Sequence, residues 1–453
     1  DVCSSDLSSF LATFNETILN VALNPLMAAF SVDYAAVQWT ITLNMLVIAV
    51  VIPIAGFLSR RLQTRTLIIG SLAVTLVGSV MGALATSFPM LLLARIVQAA
   101  GTGITMPVTM ELTLIIAPRN RLGTYMGIVS VLTTLGPSFG PIAAGFVLAG
   151  TDDWHMLFVL FGAFVLVCLI TAIIFVPNAA ELDNPRLDVP SVGFITVALL
   201  GIMYGITQLF SGGLALGGAS VAVGVVALVL FVVRQRRIPN PIIDLVPFAK
   251  GGFRIGILMM MLAFMSTFAM NIIIPLFLQG ALGATAFTAA LVLLPATLFS
   301  AICSPIGGRI FDRFGVKALI PTAFVLIMAG TFALAHIDAD VDTLVITLIF
   351  IPVVIGTAIG TSPSQSFALS RLEGPERGFG VTIVAVALQV AGCFGSSAFV
   401  GIMSAAEQAN LAAGMQALSA QTAAFLGALE DADALPKTIL YSLNTNDNAA
   451  IDS

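Results

Sequence analysis

Apolar residues in this chain come in long blocks, with short polar connections between them, and do not alternate with polar residues. The blocks fall at approximately 8–30, 39–59, 66–87, 90–116, 122–149, 155–176, 191–211, 217–233, 254–280, 286–308, 317–336, 343–369 and 379–404. Each is long enough for a helix to cross the bilayer hydrocarbon, which takes about 20 residues at ~1.5 Å rise. The pattern predicts an all-α polytopic membrane protein with thirteen spans. Beyond residue 405 the chain turns polar, with Glu407, Gln408, Asn410, Glu430, Asp431 and Asp433, and the Ala-rich stretch 411–429 suits an amphipathic or surface helix.

Composition supports this reading. Of 453 residues, 58% are hydrophobic and 9% charged, with a mean hydropathy of +1.07, too few charges to solvate a soluble surface of that size. Cysteines at 3, 168, 303 and 393 are scattered and mostly within apolar blocks, which points to neither a disulfide framework nor a zinc site. His155 and His336 are single and far apart, so no metal site is expected. The start, Asp1-Val2-Cys3-Ser4-Ser5-Asp6, has no basic n-region and reads as a clipped or foreign end, not a signal peptide.

Charge then sets orientation. With the N-terminus in the cytoplasm, 16 of the 18 basic residues fall inside, among them Arg60, Arg61, Arg65, Arg119, Arg121, Arg186, Arg234, Lys250, Arg313 and Lys317. The opposite loops carry Asp33, Asp152, Asp153, Asp338, Asp340 and Asp342, and Trp39 and Trp154 stand at outer span ends, where an interfacial belt is expected. Two longer cytoplasmic connections, 177–190 and 234–253, bracket spans seven and eight and suit linkers between bundles.

A repeat supports that division. Gly56-Phe57-Leu58-Ser59-Arg60-Arg61-Leu62-Gln63-Thr64-Arg65 matches Gly308-Arg309-Ile310-Phe311-Asp312-Arg313-Phe314-Gly315-Val316-Lys317 at an offset of 252 residues. At an offset of 256, Pro107 matches Pro363, Arg121 matches Arg377 and Gly136 matches Gly392. The expected plan is two six-span bundles with two spans inserted between them and the last span missing. Residues 8–176 form the first bundle, 177–253 the linker with its two extra spans, 254–404 a five-span second bundle, and 405–453 an extracytoplasmic tail.

Span five carries Gly127, Gly136, Gly140, Pro141, Ala144 and Gly145. Gly136, Gly140 and Ala144 share a helical face where another helix can approach closely, and Pro141 removes a backbone hydrogen bond there. The string, Gly, eight residues, Gly, three residues, Gly-Pro, two residues, Ala-Gly, resembles the antiporter motif of exporters of the major facilitator superfamily, departing only at Ala144. The two ten-residue loops resemble the same superfamily's G-x-x-x-D-R-x-G-x-[RK] motif, which implies a cytoplasmic gate. The second copy is intact in Gly308, Asp312, Arg313 and Lys317. The first keeps Gly56, Arg61 and Arg65 but has Arg60 for the aspartate and Gln63 for the glycine, so its carboxylate latch is absent. A carboxylate in such a loop can be held by a helix N-terminus and by arginines.

Span one, Phe14-Asn15-Glu16-Thr17-Ile18-Leu19-Asn20-Val21-Ala22-Leu23-Asn24-Pro25, resembles the first-span signature of the fourteen-span drug:proton antiporters, in detail the lincomycin-resistance type. The family aspartate falls on Asn15, with Glu16 beside it. In span four, Arg95 with Gln98, Ala99, Gly101 and Gly103 resembles the R-x-x-Q-G motif of proton-coupled antiporters, where the arginine is implicated in proton transfer. The resemblance covers residues 10–404.

Glu16 and Glu111 are the carboxylates well inside predicted spans. Removal from water favours a carboxylate's protonated form, which suits a group that loads and unloads protons. Both are expected to share one aqueous pocket at similar depth, with Arg95 nearer the outer side. Asn15, Asn20, Gln98, Asn271 and Gln389 are candidates for the substrate cavity, and Gln279 and Gln365 are further neutral polar groups of the C-terminal spans. The Met- and Phe-rich span nine, from Met259 to Met270, offers an adaptable apolar lining.

The resemblance implies the major facilitator fold and proton-coupled efflux of lipophilic drugs by alternating access. The expected partners are a lipid bilayer and a small lipophilic substrate, with the proton gradient in place of a cofactor and no nucleic acid. A monomer in a bacterial inner membrane is expected. The rival reading is a transporter of the same fold moving an endogenous metabolite, peptide or siderophore. An enzyme is not expected, since neither a nucleophile–base pair nor a metal cluster is visible.

Overall fold

The computed structural model describes residues 2–398 except 33, 117–120, 152, 177–187, 211–212, 239–240, 281–285, 335, 337–342, 375 and 396. The tail expected at 405–453, with its helix at 411–429, and most of the 177–190 connection lie outside the described residues. Among the described residues the regular structure is helical throughout. The helices are α1 (Val2–Thr17), α2 (Leu23–Phe30), α3 (Tyr34–Leu58), α4 (Thr64–Ala83), α5 (Phe88–Ile116), α6 (Leu122–Thr151) and α7 (His155–Phe175). They continue with α8 (Val189–Phe210), α9 (Leu214–Gln235), α10 (Gly251–Gly280), α11 (Ala286–Phe314), α12 (Leu319–Leu334), α13 (Thr343–Ser370) and α14 (Glu376–Gly395). Ten of the described segments are long and apolar enough to cross a membrane.

Among the described residues fourteen α-helices answer the thirteen predicted spans, because the first span is broken. A 3-10 turn at Ile18–Val21 separates α1 from α2. Pro25 has no N–H to give the carbonyl of Val21 and its ring crowds that position, so a continuous α-helix would fail there.

Large apolar side chains cover the outside, among them Ile170, Ile174 and Phe175 on α7, Val223, Val226 and Val229 on α9, and Val325, Met328 and Phe332 on α12. Water would not tolerate such a surface, but lipid does. Trp39 joins it at 39% exposure, stacked on Tyr204. Trp154 departs from the expected belt: it is buried between Phe30 at the end of α2, with ring centroids 5.3 Å apart, and Phe158 of α7.

Inside, α1 packs on α5 and α6, α3 on α5, α4 on α5 and α7, and α13 on α10, α11 and α12. Helices α8 and α9 pair chiefly with each other, backbone to backbone where Gly201 meets Gly224, and α8 rests on α3. Two contacts follow the sequence repeat: α11 lies against α6, and Gly56 near the end of α3 lies against Thr382 of α14. Both repeat loops sit at the same end of the bundle. Ser59, just past α3, bonds Glu111 near the end of α5, and α5 leads within a few residues into the first turn of α6, which meets Asp312 near the end of α11.

Candidate functional site

A cavity with about 1040 Å³ of empty space, its open mouth included, lies among α1, α3, α5, α6, α10, α11, α13 and α14. Its apolar lining includes Met45, Met106, Met110, Phe264 and Phe268, and its polar lining includes Thr133, Asn271, Thr357, Gln365 and Gln389. Glu16 is the carboxylate among the lining residues. It is 5% exposed and is hydrogen-bonded by Gln389 across the cavity from α14.

Behind Glu16 lies a buried polar network built on Arg95, which is fully buried. Its Nη1 donates to Asn15 Oδ1 at 2.7 Å and Gln98 Oε1 at 3.0 Å. Its Nη2 donates to the Asn15 carbonyl and its Nε to the Thr40 carbonyl, both at 3.2 Å. Gln98 Nε2 in turn donates to Ser79 Oγ at 3.1 Å. Arg95 thus takes neutral acceptors where the family signature would offer an aspartate, and Glu16 balances its charge across space. Its fork geometry suits this work, since five N–H groups can be distributed over fixed acceptors.

The candidates separate into two places. Asn271 and Gln389 line the cavity, while Asn15 and Gln98 belong to the arginine network. The side chain of Asn20 lies outside the described residues, as do those of Gln279 and Pro141. Glu111 does not share the Glu16 pocket. Met106 and Met110 of α5 turn to the cavity, and Glu111, about 100° further round the helix, faces α3 and α14 instead. It accepts a hydrogen bond from Ser59, neighbours Arg60 and lies against Gly378. Of the span-nine aromatics, Phe264 and Phe268 line the cavity. Sequence reasoning missed Met45, Met106, Met110, Thr133 and Thr357. A single polar or sulfur-bearing residue on an apolar helix gives no sign of the way it faces.

Helix α6 runs unbroken from Leu122 to Thr151 and uses small residues towards two partners. A Cβ on Gly136 would strike Thr13 Oγ1 and come within 2.8 Å of the Phe14 nitrogen, and one on Gly140 would strike Thr17 Oγ1. Ala144 is fully buried further along, and Gly145 half-buried. Nearer the helix start, a Cβ on Gly127 would lie 2.8 Å from the Ser304 carbonyl oxygen and one on Gly123 2.5 Å from that of Gly308. Gly136→Val and Gly140→Val are therefore expected to force α1 away from α6 and abolish transport while membrane insertion persists. A transport assay and immunoblotting of the membrane fraction check this; normal transport in both variants would reduce the contact to loose packing.

At the end that carries both loops, Asp312 accepts from the Gly123 and Thr124 backbone N–H groups at 2.8 and 2.9 Å and from Thr124 Oγ1 at 2.7 Å. These are first-turn donors of α6, which have no partner within their own helix and lie at its positive end. Arg313 and Lys317 are exposed, so the helix start, not the arginines, provides the hydrogen bonds to this carboxylate. The repeat-related place is built differently. Arg60 stacks over Phe379 at 4.5 Å and donates to the carbonyls of Pro241 and Ile242 at 3.1 and 3.3 Å. Lys250 pairs with Glu376 at the start of α14, so the 241–250 segment is tied to α3 by Arg60 and to α14 by its own lysine. Arg61 is exposed, and Arg65 donates to the Ile173 carbonyl near the end of α7 at 2.6 Å.

The inserted pair has its own clamp. Asp188, just before α8, takes Arg234 Nε and Nη2 at 2.6 and 2.7 Å, and this guanidinium holds its carboxyl down at about 2. A depressed value means that the pair stabilises the fold above the unfolded carboxyl's value of about 4 and that this contribution fades as pH falls towards 2. Asp188→Asn is expected to lower the unfolding midpoint in detergent at pH 7 and to flatten its fall below about pH 4. Parallel acid profiles for variant and parent would remove the pair from that account.

A helical membrane protein with repeat-related contacts between its halves and a mid-molecule cavity of this kind is built as a transporter of small substrates. The sequence profile of the Major Facilitator Superfamily matches residues 6–396, and the chain belongs to that superfamily. It is 33% identical over 408 residues to the lincomycin resistance protein LmrB of Bacillus subtilis, covering 88% of this chain and 84% of that one. It is 30% identical over 414 residues to LmrB of Listeria monocytogenes, covering 90% and 87%. Among solved structures it resembles the proton:xylose symporter XylE, with a TM-score of 0.63 and 15% identity over 90% of this chain and 89% of the other, a likeness of fold. The expected fold and superfamily both hold.

Proposed function

We propose that this transporter exports lipophilic drugs or toxic compounds across a bacterial inner membrane, in exchange for protons, by alternating access. Glu16 carries the proton, Arg95 sets the charge around it, and Asp312 latches the cytoplasmic side. The observation that carries this reading is Glu16 itself: a buried carboxylate lining the cavity, beside the Asn15–Arg95 network. The relatives named for lincomycin resistance support an antibiotic-exporting role. In this reading residues 8–176 and 254–404 are the two moving bundles, 177–253 joins them, the N-terminus is cytoplasmic and the unit works as a monomer. Acidified inverted vesicles with a pH probe test it. Addition of lincomycin should release protons from vesicles containing the protein, and an unchanged signal would favour uncoupled or differently coupled transport.

A further inference from the structure

We infer that Ser300 and Thr361 form a subsite that hydrogen-bonds an uncharged polar group, a hydroxyl or an amide, on an otherwise lipophilic substrate. This rests on the reading of the cavity as the substrate site and adds a chemical requirement to it. Ser300 of α11 and Thr361 of α13 come from helices that pack on each other, and both line the cavity. They are 1% and 8% exposed, and neither hydroxyl has a hydrogen-bond partner within the protein.

Other threonines of the cavity wall behave differently. Thr133, Thr267 and Thr357 also line the cavity, but each donates to a carbonyl of its own helix, that of Val129 at 3.0 Å, Ala263 at 3.2 Å and Val354 at 2.9 Å. The repeat sharpens the contrast. Thr105 precedes Thr361 by the same 256 residues that separate Pro107 from Pro363, and its hydroxyl bonds Ser71 Oγ at 2.9 Å and the Gly101 carbonyl at 3.1 Å. One copy closes its hydroxyl into the helix packing, while the other leaves it without a partner on a residue that lines the cavity.

A buried hydroxyl without a partner is costly, and a ligand group that supplies the partner recovers that cost. Neutral chemistry fits best. A hydroxyl both donates and accepts, so the pair matches an alcohol or amide in either sense, whereas a full charge would need stronger compensation than two hydroxyls give. The methionines of α3 and α5 and the phenylalanines of α10 receive the apolar body. Such a site rejects an analogue that lacks the polar group, because its own hydroxyls stay unpaired.

The test is equilibrium binding to the full chain in lipid nanodiscs, with two probes. Lincomycin carries hydroxyls and an amide; tetraphenylphosphonium is lipophilic and has neither. The parent should bind both. Ser300→Ala and Thr361→Val should each weaken lincomycin about threefold to tenfold, and the double variant more, while tetraphenylphosphonium stays within about twofold and reports an intact fold. The subsite is overturned if the parent binds only tetraphenylphosphonium, if lincomycin binding is unchanged in the double variant, or if both probes weaken equally. Thr133→Trp, which fills the cavity, should abolish both probes; lincomycin binding that survives it would overturn the cavity reading as well. A selective loss in the double variant, found beside an absence of lincomycin-driven proton release, supports the subsite and removes only the antiport reading.

Discussion

Replacement of Glu16 by glutamine is expected to leave drug binding in place and to abolish proton-driven efflux. The carboxylate lines the cavity, and its partner is Gln389 on the far wall. A glutamine keeps the length and shape of the side chain and can still hydrogen-bond Gln389, but it has no proton to exchange. Arg95 does not depend on Glu16 for hydrogen bonds, since Asn15, Gln98 and Thr40 provide its acceptors, so the network behind the cavity survives the change. The result is an uncoupled transporter rather than a collapsed one. Inverted vesicles read it directly: lincomycin binding persists while drug-induced proton release falls to the level of empty vesicles. Wild-type proton release from Glu16→Gln between about pH 6 and 8 would move the carrier to Glu111 or elsewhere, since any group still titrating in that range must then be another one.

The fold was legible in the sequence because lipid imposes one simple rule, apolar helices of fixed length, and because the repeat survives in two loops and a few single residues. Gly136 and Gly140 marked a face of close helix approach, and Gly308 and Asp312 a gate, but neither named its partner; α1 and the start of α6 appear only in the structure. The break in the first span was not read, although Asn24-Pro25 held the signal. Hydropathy averages over such a turn, whereas a missing N–H acts at one carbonyl.

The candidate site was legible in part, and the limit was helical phase. Asn15 and Glu16 are adjacent in sequence, yet one accepts from Arg95 and the other lines the cavity. Glu111 and Met110 divide in the same way, since depth along the helix axis says nothing of the face a residue takes. Phase follows from packing partners, which a single sequence does not display. The same holds for Arg60. The sequence showed that the latch carboxylate was gone, but the stacking on Phe379 and the hold on the 241–242 carbonyls come from a segment some 180 residues away.

That asymmetry leads to the second large effect, expected in Asp312→Asn. The carboxylate accepts three hydrogen bonds at the start of α6, two of them from backbone groups that no other residue of that helix serves. An asparagine turns an NH2 group towards at least one of those donors and removes the negative charge from the helix's positive end. Each bond to a charged group contributes about 1.5–3 kcal/mol, so loss of even one shifts the balance between closed and open cytoplasmic sides by about tenfold to a hundredfold. Ser59→Asn beside the altered copy touches none of the bonds to Asp312. Ser59 has one hydroxyl hydrogen to share between the Gly56 carbonyl, at 3.1 Å, and Glu111, and an asparagine amide can donate in its place. Efflux measured on the two variants at matched membrane levels should therefore fall at least tenfold for Asp312→Asn and little for Ser59→Asn. Cysteine pairs placed across the α6–α11 contact should cross-link more slowly in Asp312→Asn than in the parent, since the same shift separates those helix ends. Small and equal losses in both variants, with unchanged cross-linking, would show that the cytoplasmic side is closed by packing at Gly123 and Gly308 and not by the carboxylate.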